Sequence, residues 1–122
     1  MSQSRPRTVN TQGISWLLHR LSATFLIVAL FGHLLQQHVL NHAYEIELAD
    51  SAIRMADIGY FAFIVVFLLA ASFHGLNGVY QATIGEGMSG RRKQVIRWSL
   101  TLIGVVIVVQ GMRLALAMGG YI

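Results

Sequence analysis

The residues best suited to chemistry in this sequence are a histidine and two glycines within an apolar stretch. His74, Gly75 and Gly78 belong to the segment SFHGLNGVYQ, and in a helix Gly78 would lie one turn after His74 on the same face. A neutral imidazole is an axial ligand of haem iron. Glycines beside it would leave room for a flat porphyrin ring. The spacing therefore favours His74 as a haem ligand over a histidine that only stabilises helix packing.

A second set of polar residues follows one face of the first apolar stretch. At 3.6 residues per turn, Ser22 and His33 would be only about 20° apart around a helix. The residues of this stripe are Ser15, His19, Ser22, His33 and Gln37. In a membrane, such a stripe faces a bundle interior, a cofactor or a water-filled pocket. For the serines and Gln37, the alternative is ordinary hydrogen bonding between neighbouring helices.

The composition indicates that these residues lie in a membrane. Of the 122 residues, 55% are apolar and 11% are charged, whereas soluble domains have about 25% charged residues. Three apolar segments, at about residues 15–40, 56–84 and 95–118, each exceed the roughly 20 helical residues needed to cross the hydrocarbon core. Open strands cannot cross lipid. The sequence therefore predicts an all-α integral membrane protein with three transmembrane helices, forming a single membrane-anchor domain over residues 1–122.

The charges of the loops predict the orientation. The loop NHAYEIELADSAIRMAD contains four acids and one basic residue, Arg54. The opposite side of the membrane carries the basic residues Arg5, Arg7, Arg20, Arg91, Arg92, Lys93 and Arg97. By the positive-inside rule, the N-terminus is cytoplasmic and the C-terminus is outside. We expect a multi-pass protein of the cell inner or plasma membrane rather than of the mitochondrial inner membrane.

Two segments and the three-helix layout together resemble a known family. The segments SWLLHRLSATFL and FHGLNGVYQ resemble the cytochrome b membrane-anchor subunits of succinate dehydrogenase and fumarate reductase. In that family, a histidine of the second helix followed by a small-residue spacing ligates haem b, which implies that role for His74. An HR pair followed by Ser or Thr borders the quinone pocket and the haem propionates. The residues that match this pattern are His19, Arg20 and Ser22. The family often has an Asp near the inner end of the second helix, where this chain has Gly85 followed by Glu86.

The resemblance also implies a second haem. His33 would lie about 10 Å from the outer end of the first helix, and His74 about 15 Å from the inner end of the second. One iron cannot readily use both. Family members with two haems use histidines of both helices, which implies His33 for an outer haem and His74 for an inner one. The alternative for His33 is a hydrogen bond to a propionate or a neighbouring helix. His38 and His42, near the outer surface, are not expected to be ligands.

The third predicted helix contains Gln110 and Arg113. An arginine within a membrane span is costly unless it is paired. A haem propionate would suit Arg113, because a guanidinium can bind a carboxylate through two hydrogen bonds. The alternative is that its long side chain reaches the outer interface. Arg113 is therefore a candidate cofactor-binding residue, together with His74, His33 and Arg20.

The function implied by the resemblance is that of a haem b-binding membrane anchor of succinate dehydrogenase, a succinate:quinone oxidoreductase. The chain would pass electrons from an iron–sulfur subunit to membrane quinone. Arg20 could polarise a quinone carbonyl, with Ser22 and His19 as hydrogen-bonding or proton-relay groups. The chain has no cysteine, and it shows neither a dinucleotide-binding loop nor a flavin site. It would therefore not oxidise succinate by itself.

The expected partners follow from this function. They are a flavoprotein subunit, an iron–sulfur subunit, quinone, membrane lipid, and a second membrane-anchor subunit or another copy of this chain. The second anchor subunit, or the other copy of this chain, would supply the remaining histidine ligands of one or two haems b. No nucleic acid is expected to bind. Two alternatives remain open from the residues alone: a cytochrome b subunit of another respiratory oxidoreductase, and a haem-free structural membrane subunit.

Overall fold

A computed structural model of the chain describes residues 11–40, 42 and 47–122, and this part of the chain contains helices but no strands. The helices are α1 (Thr11–Leu35), α2 (Leu48–Ala56), α3 (Ile58–Thr83) and α4 (Gly90–Met118). A π-helical turn, Gln36–Leu40, continues α1. Arg5, Arg7 and Glu45, whose charges enter the predicted orientation, lie outside the described residues.

The three long helices confirm the predicted all-α membrane fold. Each is long and apolar enough to cross a bilayer, over Gly13–Leu40, Ile58–Thr83 and Gly90–Met118. The last of these begins five residues before the predicted start of the third helix. Lysine and arginine favour helix formation, so the basic cluster extends α4 beyond its apolar part. Ser89 caps this extension, because its hydroxyl accepts a hydrogen bond from the Arg92 amide at 3.3 Å.

The described acids between α1 and α3, which are Glu47, Asp50 and Asp57, lie at the starts of helices and take part in caps. The Glu47 amide donates a hydrogen bond to the Asp50 carboxylate at 3.2 Å at the start of α2. The Asp57 carboxylate accepts from the Tyr60 amide at 2.9 Å at the start of α3. Such caps satisfy amides that have no partner within the helix. The acidic loop therefore contains a short helix and also fixes where α3 begins.

The helix α3 lies between α1 and α4 and packs against both, whereas the described parts of α1 and α4 do not pack against each other. Along the α3–α4 interface, Leu76 lies against Gly104 and Leu68 lies against Gly111. Small residues of this kind let membrane helices approach closely. The three long helices thus form a single layer. Among the described residues, only Ala29, Met55, Gly104 and Ala115 are buried.

The short helix α2 packs against α3 and α4, and polar contacts also join it to the π-helical turn after α1 and to the segment after α4. The Arg54 guanidinium donates to the Gln37 side-chain oxygen at 3.1 Å. The Tyr121 hydroxyl donates to the Ala56 carbonyl at 3.1 Å. We call this end of the layer, which contains α2, the acidic end. The opposite end, where α1 and α4 begin and α3 stops, is the basic end.

Candidate functional site

Two histidines stack where α1 crosses α3. The ring centroids of His19 and His74 are 4.2 Å apart, and the ring planes differ by 12°. His19 lies eight residues after Thr11 and His74 nine residues before Thr83. Both rings therefore lie about 12–14 Å from the basic end at 1.5 Å per residue. We call this pair the histidine stack.

The glycine one turn after His74 lies against the histidine stack. A Cβ atom at Gly78 would be 3.8 Å from the His19 Cε1 atom, whereas a Cβ atom at Gly75 would have no neighbour within 4 Å. The sequence suggested that both glycines make room for a porphyrin. In the structure, a Cβ atom at Gly78 would be in ordinary van der Waals contact with the His19 ring, and the space at Gly75 is open. The role of both glycines beside a porphyrin stays a prediction.

The hydrogen bonds of His74 indicate where its proton lies. The His74 Nδ1 atom is 3.3 Å from the His19 carbonyl oxygen and 3.2 Å from the Ser22 hydroxyl oxygen. A carbonyl can only accept, so this contact assigns the proton of the neutral ring to Nδ1. The Ser22 hydroxyl donates to the same His19 carbonyl at 2.8 Å, which leaves its oxygen free to accept from His74. The Nε2 atom of His74 therefore keeps its lone pair.

The partner of His19 indicates the opposite tautomer. The side-chain nitrogen of Asn77 lies 3.0 Å from the His19 Nδ1 atom. An amide nitrogen only donates, so this contact assigns an accepting Nδ1 atom to His19 and places the proton of the neutral ring on Nε2. Both rings are half-buried. The stack thus pairs one imidazole with a free lone pair and one with a free N–H group.

Arg20, which follows His19 in the matched HR pattern, is exposed and does not join the stack. Its guanidinium carbon lies 4.7 Å from the centre of the Trp16 ring, in a cation–π contact. The structure therefore brings His19 and Ser22 together with His74, and it places Arg20 on Trp16.

A groove between α3 and α4 leads to the basic end. It has a volume of about 670 Å³ and is lined mainly by apolar residues, among them Leu69, Leu76 and Val105. At the basic end it meets a more polar cavity of about 830 Å³, whose lining includes Trp16 and Lys93. Four residues line both spaces: Ser15, Asn77, Tyr80 and Arg97.

Tyr80 and Arg97 contact each other where the two spaces meet. The Arg97 guanidinium donates to the Tyr80 hydroxyl at 3.4 Å, and its carbon lies 5.6 Å from the centre of the Tyr80 ring. Asn77, Tyr80 and Arg97 were not predicted as site residues from the sequence, which used Arg97 only for the orientation. The spacing of Asn77 from His74, three residues, is the one signal that could have placed it on the same helix face. Arg97 and Tyr80 meet only through the packing of α4 on α3.

The remaining predicted residues lie toward the acidic end. His33 follows His19 by 14 residues along α1, a distance of about 21 Å along the helix. It is half-buried, and its side chain makes no hydrogen bond to another residue that the structure describes. Arg113 is exposed and donates to the Gln110 side-chain oxygen at 3.3 Å. The structure therefore places His33 and Arg113 at a level separate from the histidine stack.

Comparison with known proteins identifies the family. A family model described as the succinate dehydrogenase/fumarate reductase transmembrane subunit matches residues 4–112. Because the match covers most of the chain, the chain belongs to this family, as the two motif segments predicted. No curated protein matches the chain. The family and the three spanning helices together confirm that the chain is a membrane-anchor subunit.

Proposed function

We propose that this member of the succinate dehydrogenase/fumarate reductase transmembrane subunit family binds haem b and passes electrons from an iron–sulfur subunit to membrane quinone. The observation that carries the proposal is the position of two oxygen atoms, the His19 carbonyl and the Ser22 hydroxyl, beside the His74 Nδ1 atom. The His74 Nδ1–H group donates a hydrogen bond to the His19 carbonyl, so the Nε2 atom is available as a ligand of haem iron. Histidines that bind metals almost always donate their other ring N–H to a carbonyl, a carboxylate or water.

The residues present suit a haem shared between two chains. Haem b, when bound, supplies a one-electron carrier within the membrane. His74 would hold the iron from one side. His19 cannot hold it from the other, because its Nε2 atom carries a proton while Asn77 donates to Nδ1. The second ligand at this level would come from a second membrane-anchor subunit or from another copy of this chain.

A second haem is proposed at the level of His33. This residue is half-buried in α1 and too far along the helix to share an iron with His74. Arg113 is near the same end of the layer, since it lies five residues before the end of α4. Its exposed guanidinium could bind a propionate carboxylate in place of Gln110.

We place the quinone, which is the substrate, in the groove between α3 and α4. The Tyr80 hydroxyl, the Arg97 guanidinium and the Ser15 hydroxyl are hydrogen-bond donors for quinone carbonyl oxygens. The apolar part of the groove would take the tail. Asn77 lines the groove and also bonds to His19, so it connects this site to the histidine stack.

The residues predicted for the quinone site from the sequence line neither space, but His19 contacts Asn77 and Arg20 contacts Trp16, which do. His19 and Ser22 belong to the network of the histidine stack. Arg20 packs on Trp16, which lines the polar cavity. We keep all three as candidates: His19 can donate from Nε2, and Arg20 can approach a quinone from the Trp16 side.

The charges support the proposed orientation and partners. The exposed residues Arg91 and Arg92, together with Lys93 and Arg97, give the basic end its charge, whereas the acidic end carries Glu47, Asp50 and Asp57. By the positive-inside rule, the basic end faces the cytoplasm of a cell inner or plasma membrane. The iron–sulfur subunit, joined to the flavoprotein subunit, would bind there, close to the level of the histidine stack.

A haem-free structural anchor is the second candidate. One observation favours it: the Nδ1 atoms of both stacked histidines are already hydrogen-bonded within the chain, and such bonds can hold membrane helices together without a cofactor. The alternative of a cytochrome b subunit from another respiratory oxidoreductase is disfavoured by the family match.

A reduced-minus-oxidised absorption spectrum of the purified complex tests the haem proposal. A b-type α-band is expected, and its absence would leave the structural anchor as the better function. For the quinone site, Tyr80→Phe and Arg97→Gln should slow quinone reduction while succinate oxidation with a soluble acceptor is kept. Arg91→Gln is the matched control, because Arg91 is a cation at the same end that lines neither space. Equal effects of Arg91→Gln and Arg97→Gln would contradict this location.

A further inference from the structure

We propose that Ser22 and Asn77 are positioning residues that give the two stacked histidines opposite tautomers, so that only His74 can bind iron. Ser22 would also lower the reduction potential of that iron. The inference rests on the proposed haem ligation by His74 and adds the residues that select it. It concerns hydrogen bonds that neither the motif segments nor the family match specifies.

The selection is needed because the two rings are otherwise alike. They lie at the same level, nearly parallel and 4.2 Å apart, and each is half-buried. Either Nε2 atom could serve as a ligand if it carried a lone pair. Their Nδ1 partners distinguish the rings, since an acceptor at Nδ1 leaves the lone pair on Nε2 and a donor at Nδ1 removes it.

Ser22 acts as an acceptor toward His74 for a structural reason. Its hydroxyl proton is used on the His19 carbonyl, three residues earlier in α1, at 2.8 Å. The hydroxyl oxygen then faces the His74 Nδ1 atom at 3.2 Å. The His19 carbonyl lies 3.3 Å from the same Nδ1 atom. One turn of α1 thus presents two acceptors to a ring of α3.

Asn77 has the opposite effect on His19. It follows His74 by three residues on α3, and its amide nitrogen lies 3.0 Å from the His19 Nδ1 atom. The helix α3 therefore provides both the proposed iron ligand, His74, and the hydrogen-bond donor, Asn77, that prevents His19 from acting as a ligand. The remaining N–H group of His19, at Nε2, can only donate.

A hydrogen bond from Nδ1–H makes a metal-bound imidazole more basic. A more basic ligand stabilises ferric iron more than ferrous iron, because the ferric ion carries the larger charge. Loss of the Ser22 acceptor should therefore raise the reduction potential of the haem held by His74. The His19 carbonyl remains in this variant, so the haem should stay bound.

The first experiment is a redox titration of the assembled complex with Ser22→Ala and Ser22→Thr. We expect Ser22→Ala to shift the ratio of oxidised to reduced haem at a given potential several-fold, in favour of reduced haem. A tenfold shift corresponds to roughly 59 mV for one electron. Ser22→Thr keeps the hydroxyl and should stay near the wild-type value. An unchanged potential in Ser22→Ala, with normal haem content, would overturn the role of Ser22.

The second experiment reads the tautomers without haem. Nitrogen-15 spectra of the full chain in detergent, with labelled histidine, distinguish Nδ1–H from Nε2–H rings. The His19→Ala and His74→Ala variants assign the signals. We expect an Nδ1–H ring at His74 and an Nε2–H ring at His19. Asn77→Asp, which offers only acceptors when ionised, should convert His19 to the Nδ1–H form, and Asn77→Gln, which keeps a donor, should not.

An Nε2–H ring at His74 in the wild-type chain would overturn the inference. So would an unchanged His19 signal in Asn77→Asp. The two proposals fail separately: a complex without any b-type absorbance removes the haem function, whereas the nitrogen spectra still decide the tautomers.

Discussion

At the scale of single residues, two identical side chains differ in what they can bind because of their neighbours. The Nδ1 atom of His74 meets two acceptors, and that of His19 meets a donor. Satisfying these groups removes a cost of a few kcal/mol that an unpaired polar group would carry in an apolar environment. The same bonds therefore stabilise the α1–α3 interface and select the chemistry of each ring.

His74→Ala should abolish at least one haem and leave the protein inserted, because the change removes the proposed ligand and adds no polar group to the span. Haem content per assembled complex is the measurement. His38→Ala is the control, since His38 is an exposed histidine of the same chain near the acidic end. Normal haem content in an assembled His74→Ala complex would contradict ligation by this residue.

His33→Ala should remove a separate haem and leave about half of the b-type absorbance, because each haem b contributes its own band. The expectation follows from the separation of about 21 Å along α1 between His33 and the level of the histidine stack. Activity with a soluble acceptor should persist. Full absorbance in the variant would indicate a one-haem anchor, in which His33 only packs or binds a propionate.

At the scale of helices, the sequence predicted what depends on hydrophobicity. The three spans follow from apolar segments that are long enough to cross lipid. The start of α4 lies five residues before its predicted position, because the charged residues there extend the helix beyond the hydrocarbon core. The pairing of His19 with His74 was not predictable. It depends on the rotation and depth at which α1 meets α3, and helical periodicity leaves both open between two separate helices.

The polar stripe of the first helix could not predict the contacts of its last residue, Gln37. The stripe assumed a constant period of 3.6 residues, which the π-helical turn Gln36–Leu40 interrupts. Gln37 lies in that turn and bonds to Arg54 of α2. In the sequence, the acidic loop was used only for its charge, whereas Asp50 and Asp57 accept capping hydrogen bonds in the structure.

Gly111→Ala should destabilise the α3–α4 interface. The added Cβ atom would lie 2.7 and 2.9 Å from the two Leu68 methyl carbons. Overpacking of this kind costs about 1–3 kcal/mol, and the higher helix propensity of alanine offsets roughly 1 kcal/mol of it. Unfolding of the chain in mixed micelles measures the loss. Gly75→Ala, with no atom within 4 Å of the new Cβ, is the matched control and should be neutral or slightly stabilising.

The double variant Gly111→Ala/Leu68→Ala separates crowding from other causes. Shortening Leu68 removes the two methyl carbons, so adding Gly111→Ala to the Leu68→Ala chain should cost much less than adding it to the wild type. Equal costs in both backgrounds would show that Leu68 is not the group that Gly111 accommodates.

At the scale of the whole molecule, the layer has two open faces. The described parts of α1 and α4 pack on opposite sides of α3 and not on each other. Most apolar side chains of the three spans therefore lie at the surface of the chain. Ala29 and Ala115 are the only buried apolar residues of the long helices among those described. In water this would be untenable, but lipid covers such surfaces without cost, and a second anchor chain can pack on them.

The topology can be tested with reporter fusions. A fusion after Lys93 should report from the cytoplasm, and one after Glu47 from the outside, because the basic end should remain on the cytoplasmic side. Full-length chains carrying either reporter serve as each other's control for insertion. The reverse pattern would overturn the orientation and with it the proposed docking side of the iron–sulfur subunit.

The distance between His33 and the histidine stack has an electrical consequence. About 21 Å is some two-thirds of a hydrocarbon core about 30 Å thick. If haem iron lies both at His74 and at His33, an electron moving between the two irons would cross about two-thirds of the membrane potential. This corresponds to about 1.6 kcal/mol per 100 mV. If the basic end faces a negative cytoplasm, an energised membrane would draw electrons toward His33. The fraction of reduced haem at His33 relative to that at His74 would then depend on the membrane potential.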